Sequence, residues 1–231
     1  MSDYIIDVLT DEWIRNVTVT ISSIIIFLWI AKFFNDSSVK LIARLLSLFL
    51  LIITLITIIE SVLNKKWDIQ SHLPLQLCGI SQYLACFIAF VPRKKLIFEF
   101  LFYCGISGGL VSILTPQITH YDGSMYAYIE YFVSHSLIVL IPIYLLLYSI
   151  NRLSRFSWLK VFLLLNVLMA LIMPLNYLLG SNYMYLNSPP EVENPLIIGE
   201  WPYYLISLEF IVLTIFYLIY LLSSFRQKRW G

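Results

Sequence analysis

The chain has 231 residues, of which 60% are apolar and 13% are charged, and its formal net charge is +1 at pH 7. Long apolar runs of this kind are typical of membrane proteins and exclude an ordinary soluble core. The sequence has no Walker loop, dinucleotide fingerprint, zinc motif or basic patch that would bind nucleic acid. We therefore expect no cofactor, no bound metal and no nucleic-acid partner.

Apolar segments long enough to cross a membrane recur along the whole chain. A helix needs about 20 residues to cross roughly 30 Å of hydrocarbon, and it satisfies its own backbone hydrogen bonds there. We predict a single all-α domain over residues 1–231, a bundle of seven transmembrane helices joined by short loops. The predicted spans cover about 16–34, 41–63, 73–92, 96–115, 127–150, 157–179 and 201–224.

The basic residues indicate which side of the membrane each loop faces, because short loops rich in Lys and Arg remain in the cytoplasm. If the amino terminus lies outside, all but three of the 15 basic residues lie inside, including Arg93, Lys94 and Lys95 in a single turn. The acidic amino terminus, Asp122 and the "PPEVEN" loop then lie outside. This asymmetry predicts an outer amino terminus and an inner carboxyl terminus. An arrangement with one interfacial span would reverse part of the map.

The stretch "HLPLQLCGISQ" at the third span concentrates polar side chains in an otherwise apolar chain. Pro74 suits the first turn of a helix, which would place His72 at the outer mouth of the span. Gln76, Cys78 and Gln82 then follow at increasing depth, at about 1.5 Å per helical residue. The third span is therefore expected to carry a polar face from the outer surface into the membrane.

Other spans carry polar residues at a similar depth in the outer half of the membrane. Buried charge costs several kcal/mol in hydrocarbon, so such groups face a partner or a water-filled cavity. A hydrogen bond between two helices explains any one of them, whereas the whole set predicts a cavity open to the outside. Besides the third span, this set comprises Glu130, Ser134 and His135 in the fifth span, Asn176 in the sixth and Glu209 in the seventh, with Asn182, Tyr183 and Trp201 near the mouth.

Cys78 and His135 are the candidate catalytic residues. A buried free cysteine is usually a small inert hydrophobe, but a neighbouring base that takes its proton makes it a nucleophile. His135 is expected at a depth that matches Cys78, and Glu130 or Glu209 would orient or charge its ring. Helical spacing turns His72 away from Cys78, so we expect His72 to meet water, a head group or an outer loop.

The fourth span contains small residues at four-residue intervals in "CGISGGLVS". Gly105 recurs with Gly109, and Cys104 recurs with Gly108 and Ser112. Such spacing predicts a close-packing face for a neighbouring helix and favours a structural role for Cys104.

Four motifs support a comparison with known families: "HLPLQLCGIS", "SHSL" around His135, "GSNYMYL" from Gly180 and "GEWPYYL" from Gly199. Together they resemble the YwaF-type family of bacterial integral membrane proteins, and the likeness extends over nearly the whole chain from the second span onward. That family is similar to the eukaryotic transmembrane protein 164 family, regarded as cysteine-dependent phospholipid acyltransferases. Gln76 and Ser136 depart from the pattern, which has a histidine near the first position and a glycine at the second.

The resemblance implies a multi-pass protein of the bacterial plasma membrane with membrane lipids as its partners. It also implies Cys78 as the nucleophile that accepts the acyl chain and His135 as its base. The leading hypothesis is therefore an outer-leaflet acyltransferase that passes an acyl chain from a phospholipid to a lysolipid or another acceptor. In this hypothesis Gln76, Ser134 or Asn182 donates to the oxyanion, while Tyr183 and Trp201 line the lipid entrance.

Two alternative functions come from other classes of protein. A transporter would use the same polar cavity as its substrate site and would need polar residues or broken helices in the inner half as well. A lipid-binding or assembly protein would use the cavity without any chemistry.

Overall fold

The computed structural model describes residues 3–92, 95–119, 121–149, 151–192 and 194–227. Arg93, Lys94 and Glu193, which contributed to the orientation argument, lie outside these described residues. The described elements are α1 Asp11–Ile30, continued by a 3₁₀ turn over Ala31–Phe33, α2 Asp36–Leu63, α3 Leu77–Ile88, α4 Lys95–Leu114, α5 Met125–Tyr148, α6 Ser157–Leu179, a 3₁₀ turn at Tyr183–Tyr185, and α7 Tyr203–Gln227. A two-stranded antiparallel ladder pairs β1 Tyr4–Ile5 with β2 Gln117–Ile118.

Six of these helices are long and apolar enough to cross a membrane within the described part of the chain, and α3 is the exception. This confirms a multi-pass helical membrane protein. The third predicted span, by contrast, was wrong in extent, since α3 has only 12 residues and begins at Leu77. At 1.5 Å per residue, it covers about 18 Å of the roughly 30 Å of hydrocarbon.

The chain before α3 turns irregularly and does not continue the helix outward. Pro74 lies in this turn, and Gln76 is the N-cap, with extended backbone geometry. The backbone of Pro74 packs closely on Gly79, because a Cβ on Gly79 would lie 3.3 Å from the Pro74 Cα. The expectation that Pro74 opens the helix was therefore wrong by about one turn. As a consequence, Cys78 lies in the first turn of α3.

Helices α4 and α5 form the centre of the bundle. In the most apolar stretch of each of these two helices, 61% of the residues are buried. The corresponding share is 6% in α7 and 17% in α1 and α6. The outer helices instead expose large apolar side chains such as Phe210 and Leu222, as expected for a surface that faces lipid.

Two glycines of α4, which have no side chain, let this helix approach α5 closely. A Cβ at Gly105 would lie 3.1 Å from the carbonyl oxygen of Ile138, and a Cβ at Gly109 would lie 3.2 Å from that of His135. Pro142 has no N–H to pair with the Ile138 carbonyl four residues earlier, so the backbone of α4 covers a freed acceptor. The predicted close-packing face is confirmed for these two glycines.

Four segments gather on one face of the bundle and form what we term the loop cap: residues 3–10, 64–76, 115–124 and 180–202, as far as they are described. These are the segments that the basic residues placed together on the outer side. Hydrogen bonds join them between Gln117 Nε2 and Asp3 Oδ2 (2.7 Å), between Lys66 Nζ and Asp122 Oδ2 (2.8 Å), and between the Tyr183 hydroxyl and the Ile69 carbonyl (2.6 Å).

A buried polar cluster joins α4 to the start of α6 on the face of the bundle opposite the loop cap. The basic residues predict that this face is the inner one. Glu99 is fully buried and accepts hydrogen bonds from the backbone N–H and the hydroxyl of Ser154, at 2.8 and 2.6 Å, and it also pairs with Lys160. One turn along α4, the Tyr103 hydroxyl bonds that of Ser157 at 2.7 Å. The negative charge of Glu99 is therefore compensated by its partners, as a buried carboxylate requires.

Adding one methyl group to α4 tests the close approach. A Cβ at Gly109 would lie 2.7 Å from Val139 Cγ2, whereas one at Gly108 would make only ordinary contacts, at 3.5 Å from the Leu77 side chain and 3.8 Å from the Cys78 nitrogen. We expect Gly109→Ala to destabilise the protein by about 1–3 kcal/mol through overpacking, and Gly108→Ala to have little effect. Thermal unfolding in detergent measures both, and equal midpoints for the two variants would contradict this packing.

Candidate functional site

A cavity of about 630 Å³ lies beneath the loop cap, between α2 to α5 on one side and the α6–α7 hairpin on the other. This volume falls within the range of small-molecule sites. The structure brings seven of the sequence-predicted site residues to its walls, namely His72, Gln76, Cys78, Glu130, His135, Asn182 and Glu209.

The other five predicted residues do not line the cavity and instead form structural hydrogen bonds, either between elements or within one. Gln82 Nε2 donates to Thr54 Oγ1 at 2.8 Å, which joins α3 to α2. The indole N–H of Trp201 donates to the Leu186 carbonyl at 2.9 Å. Ser134 is buried and donates to the Tyr131 carbonyl of its own helix at 3.1 Å.

Asn176 and Tyr183 fasten the 180–202 segment above the cavity. Fully buried Asn176 donates through its amide to the Tyr183 carbonyl at 2.8 Å and accepts from the Tyr183 N–H at 2.9 Å. The Tyr183 hydroxyl in turn accepts from the Leu73 N–H at 2.9 Å. Gln76 Oε1 accepts from the Met184 N–H at 2.7 Å, so the segment is held against the start of α3.

Cys78 is the cysteine that the cavity reaches. The chain has three cysteines, of which Cys86 and Cys104 are fully buried and Cys78 is half-buried on the cavity wall. Its thiol lies against the Ser112 hydroxyl of α4 and the Gly79 N–H. It stands in the first turn of α3, at the end of the helix where the dipole is positive.

His135 is held in one orientation by its own helix. Its Nδ1 lies 2.7 Å from the Tyr131 carbonyl, and its ring contacts the Tyr131 ring with 4.4 Å between centroids. A carbonyl can only accept, so Nδ1 carries the hydrogen and Nε2 is the basic nitrogen. The observed partner of Nδ1 is thus a backbone carbonyl, and the carboxylate of Glu209 accepts instead from Asn166 Nδ2 at 2.9 Å.

Two tyrosines on the cavity wall were missed from the sequence. The Tyr131 hydroxyl donates to the Ser112 carbonyl at 2.8 Å, so this side chain connects the histidine helix to α4 beside the thiol. Helical spacing from His135 is a signal that would have found it. Tyr185 follows Met184 in the "NYMY" turn, where both residues have positive φ, 58° at Met184 and 52° at Tyr185.

Tyr185 lies within electrostatic range of Cys78, and both residues line the cavity. Burial raises the pKa of Tyr185 to about 12, with smaller contributions from Cys78, Asp3 and Glu191. Its hydroxyl is therefore protonated at neutral pH and is able to donate a hydrogen bond into the cavity.

The part of the cavity next to the loop cap carries several acidic side chains, and one of them is paired with a lysine. Lys66 and Asp122, both on its wall, form an ion pair across the loop cap, and this pair with the Ser124 hydroxyl lowers the pKa of Asp122. Glu60 and Glu130 supply further carboxyl groups from α2 and α5. Among the described residues, no three His, Cys, Asp or Glu side chains are grouped as metal ligands.

A comparison with known protein families matches most of this chain. The family model described as the TMEM164 family matches residues 9–220, which include Cys78, His135 and both walls of the cavity. No curated protein and no solved structure matches the chain. The transmembrane protein 164 resemblance drawn from the sequence motifs is confirmed by this match.

Replacing Asn176 with Leu tests the fastening of the loop cap. The substitution removes the partners of the Tyr183 N–H and carbonyl, so we expect about 1–3 kcal/mol of destabilisation and faster proteolysis within residues 180–202. Tyr177→Ala is the matched control, because Tyr177 follows on the same helix and is 86% exposed. Similar cleavage rates for the two variants would show that Asn176 does not hold the segment.

Proposed function

Because this chain belongs to the TMEM164 family, we propose that it transfers acyl chains between lipids of the bacterial plasma membrane, with Cys78 as nucleophile and His135 as base. The observation that carries the proposal is that the accessible cysteine and a histidine of fixed tautomer line the same cavity. They come from α3 and α5, which only tertiary packing brings together.

In the first half-reaction, His135 Nε2 takes the proton from the Cys78 thiol, and the sulfur attacks the carbonyl carbon of a phospholipid ester. The carbon–oxygen bond to the glycerol then breaks. The leaving oxygen receives the proton from His135, which releases a lysolipid and leaves a thioester on Cys78.

In the second half-reaction, His135 takes the proton from the hydroxyl of a lysolipid or another acceptor. The acceptor oxygen attacks the thioester carbonyl, the carbon–sulfur bond breaks, and the thiol is regenerated with the proton from His135. The histidine thus serves twice as base and twice as acid, and no external oxidant or reductant is required.

Developing charge on the carbonyl oxygen needs donors in this water-poor site. Gln76 and Asn182 remain candidates, although Gln76 Oε1 holds Met184, and the Asn182 amide donates to Ser188 Oγ at 2.7 Å. We add the Tyr185 hydroxyl, which is protonated and near the thiol, as a further oxyanion donor.

The proposal places the loop cap outside the cell, with seven spans, an outer amino terminus and an inner carboxyl terminus. Helix α3 then completes its crossing through the irregular segment 64–76, of which Gln70, His72 and Gln76 line the cavity. Backbone of this kind is tolerated at membrane depth where it lines a cavity.

Cysteine labelling tests this topology. In a Cys78→Ser background, we expect Glu191→Cys in the loop cap to react with an impermeant maleimide on intact cells. We expect Arg155→Cys, in the exposed turn before α6, to react only after permeabilisation. The opposite pattern would reverse the orientation.

Chemical trapping tests the acyltransferase directly. After incubation of the purified protein with mixed phospholipid vesicles, we expect mass spectrometry to find a hydroxylamine-sensitive acyl adduct on Cys78. Cys78→Ala should lose acyl transfer, and His135→Ala should slow it by about 10²–10⁴-fold. The matched controls Cys86→Ala and Cys104→Ala remove buried thiols and should retain the adduct.

If Cys78→Ala remodelled lipids at the wild-type rate, the nucleophile assignment would be wrong. If wild-type protein bound phospholipid but formed no adduct and no product, the non-catalytic lipid-binding alternative would be favoured.

A further inference from the structure

The cavity has two walls of different chemistry. The wall formed by α3, α4 and α5 carries the thiol of Cys78, the hydroxyl of Ser112 and the imidazole of His135. The facing wall, formed by the α6–α7 hairpin, is largely apolar, and its apolar members are Leu165 and Met169 on α6 and Leu208, Ile211, Val212 and Ile215 on α7.

The apolar members of this wall fall on one face of each helix. Leu208, Val212 and Ile215 recur at intervals of four and three residues, and Leu165 and Met169 are four apart, so each set lies on one side of its helix. The residues on the opposite side of α7 point away from the cavity, since Ile206 is 58% exposed and Phe210 is 70% exposed. The hairpin thus has one apolar face on the cavity and another on the surrounding membrane.

The apolar wall extends well below the level of the loop cap. From Leu208 to Ile215 the wall extends about 10 Å along α7 away from the loop cap, at 1.5 Å per residue. Leu165 is only 4% exposed and contributes to the floor from α6. The one carboxylate on this wall, that of Glu209, is held by Asn166.

We propose that this face of the α6–α7 hairpin is the acyl-chain subsite, and that Ile215 sets the length of chain it accepts. The inference rests on the proposed function, since the chain in question is the one esterified to the thiol of Cys78. A scissile ester at the polar wall and a chain along the apolar wall match the two surfaces of the cavity. A small polar solute would leave the apolar wall without a partner.

The test compares Ile215→Phe with Ile206→Phe, which makes the same change on the opposite, outward face of the same helix, where Ile206 is 58% exposed. Each protein is incubated with vesicles of phosphatidylglycerol and phosphatidylethanolamine whose acyl chains span a series of lengths. We expect Ile215→Phe to lower the long-chain adduct on Cys78 about tenfold relative to the short-chain adduct. Ile215→Ala should shift the profile toward longer chains, and Ile206→Phe should leave it unchanged.

An Ile215→Phe profile identical to that of wild type would overturn the subsite while leaving the acyltransferase proposal intact. Absence of any adduct in wild type would instead overturn the proposed function. A second measurement tests the subsite even if the wild type forms no adduct or Ile215→Phe does not fold. In it, a phosphatidylglycerol with a photoreactive group in its acyl chain is bound to the Cys78→Ala variant. We expect crosslinks at Leu165, Val212 or Ile215, and crosslinks confined to outward residues such as Phe210 would refute the subsite.

Discussion

The rest of the site depends on how closely α4 lies against its two neighbours. Gly109 brings the α4 backbone to the carbonyl of His135, and the place of a Cβ on Gly108 is 3.8 Å from the backbone nitrogen of Cys78. A single helix therefore sets the spacing between the helix that carries the thiol and the helix that carries the imidazole. Ser112, one turn further along α4, then lies against the thiol. A side chain at Gly109 would move the backbones of α4 and α5 apart and so separate the two functional groups.

A second constraint is that polar groups inside the membrane must find partners. The two explanations considered for the intramembrane polar residues both occur in this protein. Asn176 and Gln82 form hydrogen bonds between the elements around the cavity and do not line it, whereas Cys78, Glu130 and His135 do. The first group holds the loop cap and helices in place, so the second group can remain available to a ligand.

This division also separates the two faces of the bundle. Above the cavity, the loop cap is tied by hydrogen bonds that originate in four separate connections. On the opposite side, Glu99 is closed into a buried cluster with Ser154 and Lys160. The cavity therefore lies under the loop cap, and the fully buried charge on the opposite side is compensated.

The sequence by itself determined that this is a multi-pass helical membrane protein, since apolar run length is a local property, and it identified the family from motifs that lie far apart. It also gave the alternation of loops between two sides and the glycine face of α4. It misjudged the start of α3, because Pro74 is compatible with either a first helical turn or a preceding turn. Tertiary structure alone decided which polar residues meet in one cavity, because depth along a span does not specify the direction in which a side chain points. For that reason the place of Tyr185 beside Cys78 emerged only from the tertiary structure, and so did the structural hydrogen bonds of Asn176 and Tyr183.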